Sequence, residues 1–136
     1  MSTWPTSAGE GYFKIAFANF VQVVDERGLS THSKRINAGG NSGYQAIGLA
    51  YQWGVARIIL LGYDFQRGPS GEAHHHPNHV RGLLNPPHDM SEWVQRTVQL
   101  GIDLHDSGVE VVNDTRRTAL AWIERQSIGE ALGIAK

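Results

Sequence analysis

The chain has 136 residues, enough for one domain with its own core and too few for two. Its 12 Lys and Arg stand against 13 Asp and Glu, and a formal net charge of −1 excludes a general nucleic-acid coat. There is no cysteine, which excludes disulfides, thiolate metal sites and a thiol nucleophile, and no apolar run approaches the ~20 residues that cross a bilayer.

Residues 1–11 read as a polar lead-in without the basic-then-apolar layout of a signal segment. Residues 12–19 fit a strand or a short helix, and the β-branched run 21–24 fits a strand. Residues 28–37 are polar and read as loop. A glycine-rich stretch, Ala38-Gly39-Gly40-Asn41-Ser42-Gly43, then leads into Ala46, Ile47, Leu49, Ala50 and Trp53 at helical spacing. Ser42 and Gln45 have the S-x-x-Q spacing of a capping box, and Gly54 is a natural stop. Residues 57–62 (RIILLG) are continuously apolar after the arginine, as in a buried strand of a parallel sheet.

A polar segment rich in His, Pro and Gly occupies residues 63–90, and a connection of that length points to a functional loop. Residues 91–106 predict a second helix with Trp93, Val94, Val98 and Leu104 inward, ended by Gly108. A strand at 109–113 and a short helical turn at 115–122 follow. Ser127 and Glu130 then form a second capping-box pattern, opening a last short helix. This order predicts an α/β fold: a single Rossmann-like domain over 1–136, with a small open parallel sheet and helices on both faces.

Three places carry candidate chemistry. In the loop Gly39, Gly40, Asn41, Ser42 and Gly43, glycines permit positive φ and close approach of a ligand to the main chain. The helix that follows offers free N–H groups to an anion. The plainer alternative is a tight turn entering a helix. Asp64 follows the best strand, where ligands of open α/β sheets bind, although an Asp there also starts turns. Four of the seven histidines fall in His74-His75-His76-Pro77-Asn78-His79. His76 and His79, with Asp64, are the candidate catalytic groups; His74, His76 and His79 are the candidate ligands of a divalent metal, the one cofactor the sequence brings forward. Their spacing resembles the H-x-H-x-D-H of metallo-β-lactamase-type hydrolases, with Asn78 in place of the aspartate. Arg116, beyond the strand at 109–113, is a further candidate phosphate contact. The four tryptophans read as packing residues.

The stretch Gly39-Gly-Asn-Ser-Gly-Tyr-Gln-Ala-Ile, followed by Gly54-Val-Ala-Arg-Ile-Ile-Leu-Leu-Gly-Tyr-Asp, resembles phage and bacterial proteins similar to the 6-hydroxymethylpterin diphosphokinase-like and motility-accessory-factor group. More distantly it is similar to bacterial sialyltransferases that use a CMP-sugar. The His-rich segment, Asn85-Pro86 and Trp93 recur in the phage group. The resemblance covers roughly residues 28–132. It implies that Asn41, Ser42 and Gly43 touch a nucleotide and that a loop histidine serves as general base. Relatives carry an additional N-terminal half, which implies a shortened form, a fragment or a site completed by homo-oligomerisation.

Three functions compete. The first is a nucleotide-dependent transferase, glycosyl or diphospho, with the phosphate on the glycine loop. The second is a phage-type protein that sequesters a nucleotide without turning it over. The third is a metal-dependent hydrolase built on the histidine cluster. The expected partner is a nucleotide or nucleotide sugar, with neither nucleic acid nor membrane. The expected location is the cytoplasm, of the host if the protein is phage-encoded.

Overall fold

The computed structural model describes residues 11–14, 20–73, 80 and 89–134. Over these the chain is an α/β fold of short strands in open sheets with helices between them. The order is β1 (Gly11–Lys14), β2 (Phe20–Val24), β3 (Arg35–Asn37), α1 (Ser42–Gln52), β4 (Arg57–Leu60), α2 (Ser91–Asp106), β5 (Glu110–Asn113), β6 (Glu124–Arg125) and α3 (Ile128–Ala131). β2 pairs parallel with β3, and β4, β5 and β6 are parallel neighbours. Only β1 runs antiparallel, against β2.

Parallel pairing of β4 and β5 requires a crossover, and α2 supplies it. Ile58 and Leu60 lie two residues apart, so their side chains leave the same face of β4. Both belong to one buried cluster with Tyr44 and Ile47 of α1, Leu100 and Leu104 of α2, and Leu120 and Ile123 beyond β5. Both long helices therefore feed one core. The buried positions of α2, Thr97, Leu100, Gly101 and Leu104, recur at three and four residues, as one helix face requires. Gly101 is fixed by packing: a Cβ there would come within 2.1 Å of the Trp122 ring, whose Nε1 donates to Thr97 Oγ1 at 3.1 Å.

Several sequence expectations are corrected. The segment read as loop at 28–37 ends in β3, a three-residue strand in which Ile36 is the one apolar side chain. Residues 115–122 form no helix: the segment ends in a single turn closed by Ile123 N–H donating to the Leu120 carbonyl at 3.3 Å, and β6 follows. Trp53 and Val98, placed inward by periodicity, are exposed at 69% and 43%. Trp53 is the last cap residue of α1, where the helix face no longer points at the core. β4 is not uniformly buried: its two core side chains alternate with an exposed Arg57 and a half-buried Ile59.

The α2 bounds and the Ser127–Glu130 capping box are as predicted. Ser127 N–H donates to Glu130 Oε2 at 2.8 Å while Glu130 N–H donates to Ser127 Oγ at 3.3 Å. No helix among the described residues is long and apolar enough to cross a membrane.

Candidate functional site

A cleft of about 570 Å³ opens where β3 and β4 end at their carboxyl sides. One wall is the first turn of α1, with Asn41, Ser42 and Gly43; the other is the chain leaving β4, with Tyr63, Asp64 and Phe65. Met90 and Trp93, at the start of α2, close the third side.

The first turn of α1 is built by Asn41. Its backbone is extended (φ −157°, ψ 159°) and its Oδ1 accepts the Tyr44 N–H at 2.9 Å, so Asn41 is the N-cap. The capping box expected from Ser42 and Gln45 does not form. Gln45 Nε2 instead donates back to the Ala38 carbonyl at 3.2 Å and closes the loop. An N-terminal helical turn leaves its leading N–H groups without intrahelical partners. Asn41 satisfies Tyr44, and among the described residues the Ser42 and Gly43 amides make no hydrogen bond. The Asn41 side chain is occupied by the cap, so the donors this turn leaves over among the described residues are main-chain amides and the exposed Ser42 hydroxyl.

The three glycines have distinct reasons. Gly39 has φ +57° and is buried beneath Tyr44, whose ring a Cβ would approach to 2.0 Å. Gly40 has φ +82°, and a Cβ there would lie 2.8 Å from Trp93 Nε1. Neither lines the cleft; both let an aromatic side chain lie against the loop. Gly43 does line it, with the Tyr63 ring 3.1 Å from where its Cβ would be.

Asp64 sits at the mouth of the cleft with its side chain exposed. Its carboxylate makes no hydrogen bond or ion pair among the described residues, so it does not form the turn that an Asp in this position often does. Its backbone is held firmly. Tyr63 N–H donates to Thr115 Oγ1 at 2.9 Å, Thr118 Oγ1 donates to the Tyr63 carbonyl at 2.7 Å, and Ala119 N–H donates to the Asp64 carbonyl at 2.9 Å. Asn113, fully buried, accepts the Thr115 N–H at 2.9 Å and ties this bracket to the end of β5. Sequence reasoning missed Thr115 and Thr118; Asn-x-Thr directly after a strand was the available signal for a side-chain-bonded turn.

Aromatic side chains line much of the remainder. The Tyr63 and Phe65 rings stack with centroids 6.1 Å apart and planes 13° from parallel, and Trp93 faces the same cleft. Burial pushes the Tyr63 hydroxyl above the usual tyrosine pKa, so it stays protonated and donates to the Gly43 carbonyl at 3.2 Å. Phe65 has φ +51°, the one left-handed non-glycine among the described residues, a conformation that costs energy and recurs at functional sites. Trp93, read from sequence as a packing residue, thus belongs to the cleft as well.

Of the other sequence candidates, Arg116 is exposed and does not line the cleft; its carbonyl accepts from Arg125 Nη2 at 3.0 Å. His74, His76 and His79 lie outside the described residues, so the general-base and metal-ligand expectations fall there too. Comparison of the chain with protein-family models, with curated proteins and with solved structures returned no match in any of the three.

Proposed function

We propose that this chain binds a nucleotide or nucleotide sugar in the cleft between α1 and the end of β4. The observation that carries the proposal is the meeting in one cleft of aromatic rings with the α1 amides of Ser42 and Gly43 and the Asp64 carboxylate, none of which makes a hydrogen bond among the described residues. A phosphate sits on the amides, favoured by the partial positive charge of the helix start. The planar base lies against Phe65 or Trp93. Asp64 is the one charged side chain lining the cleft among the described residues, and it repels phosphate. The nucleotide therefore lies with its phosphates at α1 and its sugar hydroxyls towards Asp64, or with a divalent cation between carboxylate and phosphate. The volume falls within the roughly 300–1,000 Å³ of small-molecule sites.

The loop–helix–strand–Asp order resembles that of the diphosphokinase-like and sialyltransferase groups, which favours a transferase as the activity. The test is a thermal-shift screen of nucleoside mono- and diphosphates and nucleotide sugars, with and without Mg²⁺. The best ligand is then recovered and checked for chemical change. One nucleotide class raising the melting temperature supports the proposal. A cleaved ligand assigns a transferase or hydrolase, and an intact one a sequestering protein. No stabilisation by any of them defeats nucleotide binding.

A further inference from the structure

A helix at a protein surface ordinarily turns charged and polar groups outward. None of the eleven residues of α1 is charged, and neither is the Trp53 that caps it. Tyr44, Ile47 and Gly48 face the core. Opposite them, Ser42, Ala46, Leu49 and Trp53 follow at intervals of four, three and four residues, which sets all four in one stripe along the helix. Ser42, Ala46 and Trp53 are exposed and Leu49 is half-buried. The glutamines beside the stripe are spent on their own chain. Gln45 Nε2 donates to the Ala38 carbonyl, and Gln52 Nε2 to the carbonyls of Ser30, His32 and Arg35. The stripe therefore offers shape and apolar area, with the Ser42 hydroxyl as its one polar side chain.

Two properties select what covers it. The first is charge. An uncharged face brings no like charges together when it meets itself, whereas a charged partner would bury its charges here without an answering group. The second is the order of sizes. The small residues, Ser42 and Ala46, stand at the start of α1, and the large ones, Leu49 and Trp53, at its end. The intervals are symmetric about their middle, so the stripe turned end for end matches itself. Ser42 then meets Trp53, and Ala46 meets Leu49. Each large side chain finds a small one opposite, as close helix packing requires.

We infer that a second copy of this chain covers the outer face of α1, in an antiparallel two-fold contact with the partner subunit's Trp53 against Ser42 and Ala46. Each pairing occurs twice in such a contact, and tryptophan is a favoured anchor of interfaces. Ser42 and Ala46 also line the first cleft, so the paired helices stand at its edge. The eleven residues of α1 rise only about 16 Å, so the contact falls below the ~1,200 Å² of stable complexes. Pairing is therefore weak and depends on concentration; in dilute solution the chain is single and Trp53 stays exposed.

The experiment is analytical ultracentrifugation of the full chain without ligand, from about 10 µM to about 1 mM, the range in which a weak contact fills. It is repeated on Trp53→Lys and on Ile102→Lys, which alters an exposed apolar residue of α2 instead. A lysine suits the carboxyl end of a helix, so Trp53→Lys keeps the fold, and thermal melting verifies both variants. The expected result is a wild-type mass that rises from one chain towards two and stops there. Trp53→Lys weakens the pairing at least about tenfold, and Ile102→Lys leaves it unchanged. The inference is overturned if the wild type stays single up to the highest concentration, or if its mass grows past two chains. It is equally overturned if Trp53→Lys pairs as well as the wild type, or if Ile102→Lys abolishes pairing, which would put the contact on α2. Because no nucleotide is present, failure here leaves nucleotide binding standing, and failure of nucleotide binding leaves this contact standing.

Discussion

The Tyr44 ring lies directly on Gly39, and its hydroxyl donates to the Gly28 carbonyl at 3.0 Å. One buried side chain thus joins the glycine loop, α1 and the connection between β2 and β3. Asn37 Nδ2 donates to the same carbonyl at 2.8 Å. A methyl group at position 39 meets the ring at 2.0 Å and must also adopt φ +57°. Gly39→Ala is therefore expected to lose about 2–4 kcal/mol of stability, combining left-handed strain with overpacking. Urea denaturation measures it; a loss under about 0.5 kcal/mol would show that the loop does not depend on this contact.

The bracket behind Asp64 gives a second prediction. Thr118 Oγ1 donates to the Tyr63 carbonyl and accepts the Leu120 N–H at 3.1 Å. Thr118→Val keeps the shape and leaves both backbone groups short of a partner. The expected cost is about 1–3 kcal/mol, with faster amide exchange at Leu120. Unchanged exchange there would mean that the bracket does not hold the strand end.

How far the sequence anticipated this architecture depended on where each signal resides. α2 was legible because its apolar residues repeat over 16 positions, and α3 because a capping box is a local pattern. β3 was not, since three residues hold no period and its pairing with β2 is a tertiary event. The cap of α1 was misassigned by one residue: Asn41 and Ser42 are both good N-caps, and the choice turned on Gln45 reaching Ala38. Strand-end logic put Asp64 where ligands of open α/β sheets bind, and Asp64 lines one cleft with Ser42. That Gly39 and Gly40 serve Tyr44 and Trp93 was hidden, because glycines for ligands and glycines for aromatic packing look alike in a sequence.

Two tryptophans separate cleft from surface. Trp93 lines the cleft, while Trp53 is 69% exposed at the end of α1. Nucleotide binding is expected to change tryptophan fluorescence in the wild type and in Trp53→Phe, and the change is expected to disappear in Trp93→Phe. Trp53→Phe should alter stability by no more than about 0.5 kcal/mol. A fluorescence response that persists in Trp93→Phe would place the base elsewhere.

Acid sensitivity is expected at the C-terminal turn. Hydrogen bonds from the Ser127 backbone and then its hydroxyl hold Glu130 below its ordinary pKa of 4.5. The folded form binds the proton less readily than the unfolded chain. The contribution is therefore complete above the ordinary value and fades as pH falls through the lower, folded one. Glu130→Gln should reduce stability at pH 7 and narrow its difference from the wild type towards pH 3, as read by urea titrations at both pH values. A difference that stays constant with pH would exclude this linkage.

Ser42 offers the sharpest separation of fold from binding. It is the first residue of α1, where proline is well tolerated because the missing N–H has no helical partner. The extended Asn41 before it suits a following proline. Ser42→Pro therefore deletes one of the two unengaged amides while preserving the helix, and Ser42→Ala controls for the hydroxyl. The deciding measurement is calorimetric affinity for the best nucleotide in these two variants, alongside their melting temperatures. We predict that Ser42→Pro melts at or above Ser42→Ala yet binds at least about tenfold more weakly, the worth of one hydrogen bond to a charged group. Equal affinity in the two variants would contradict a phosphate held on the first turn of α1.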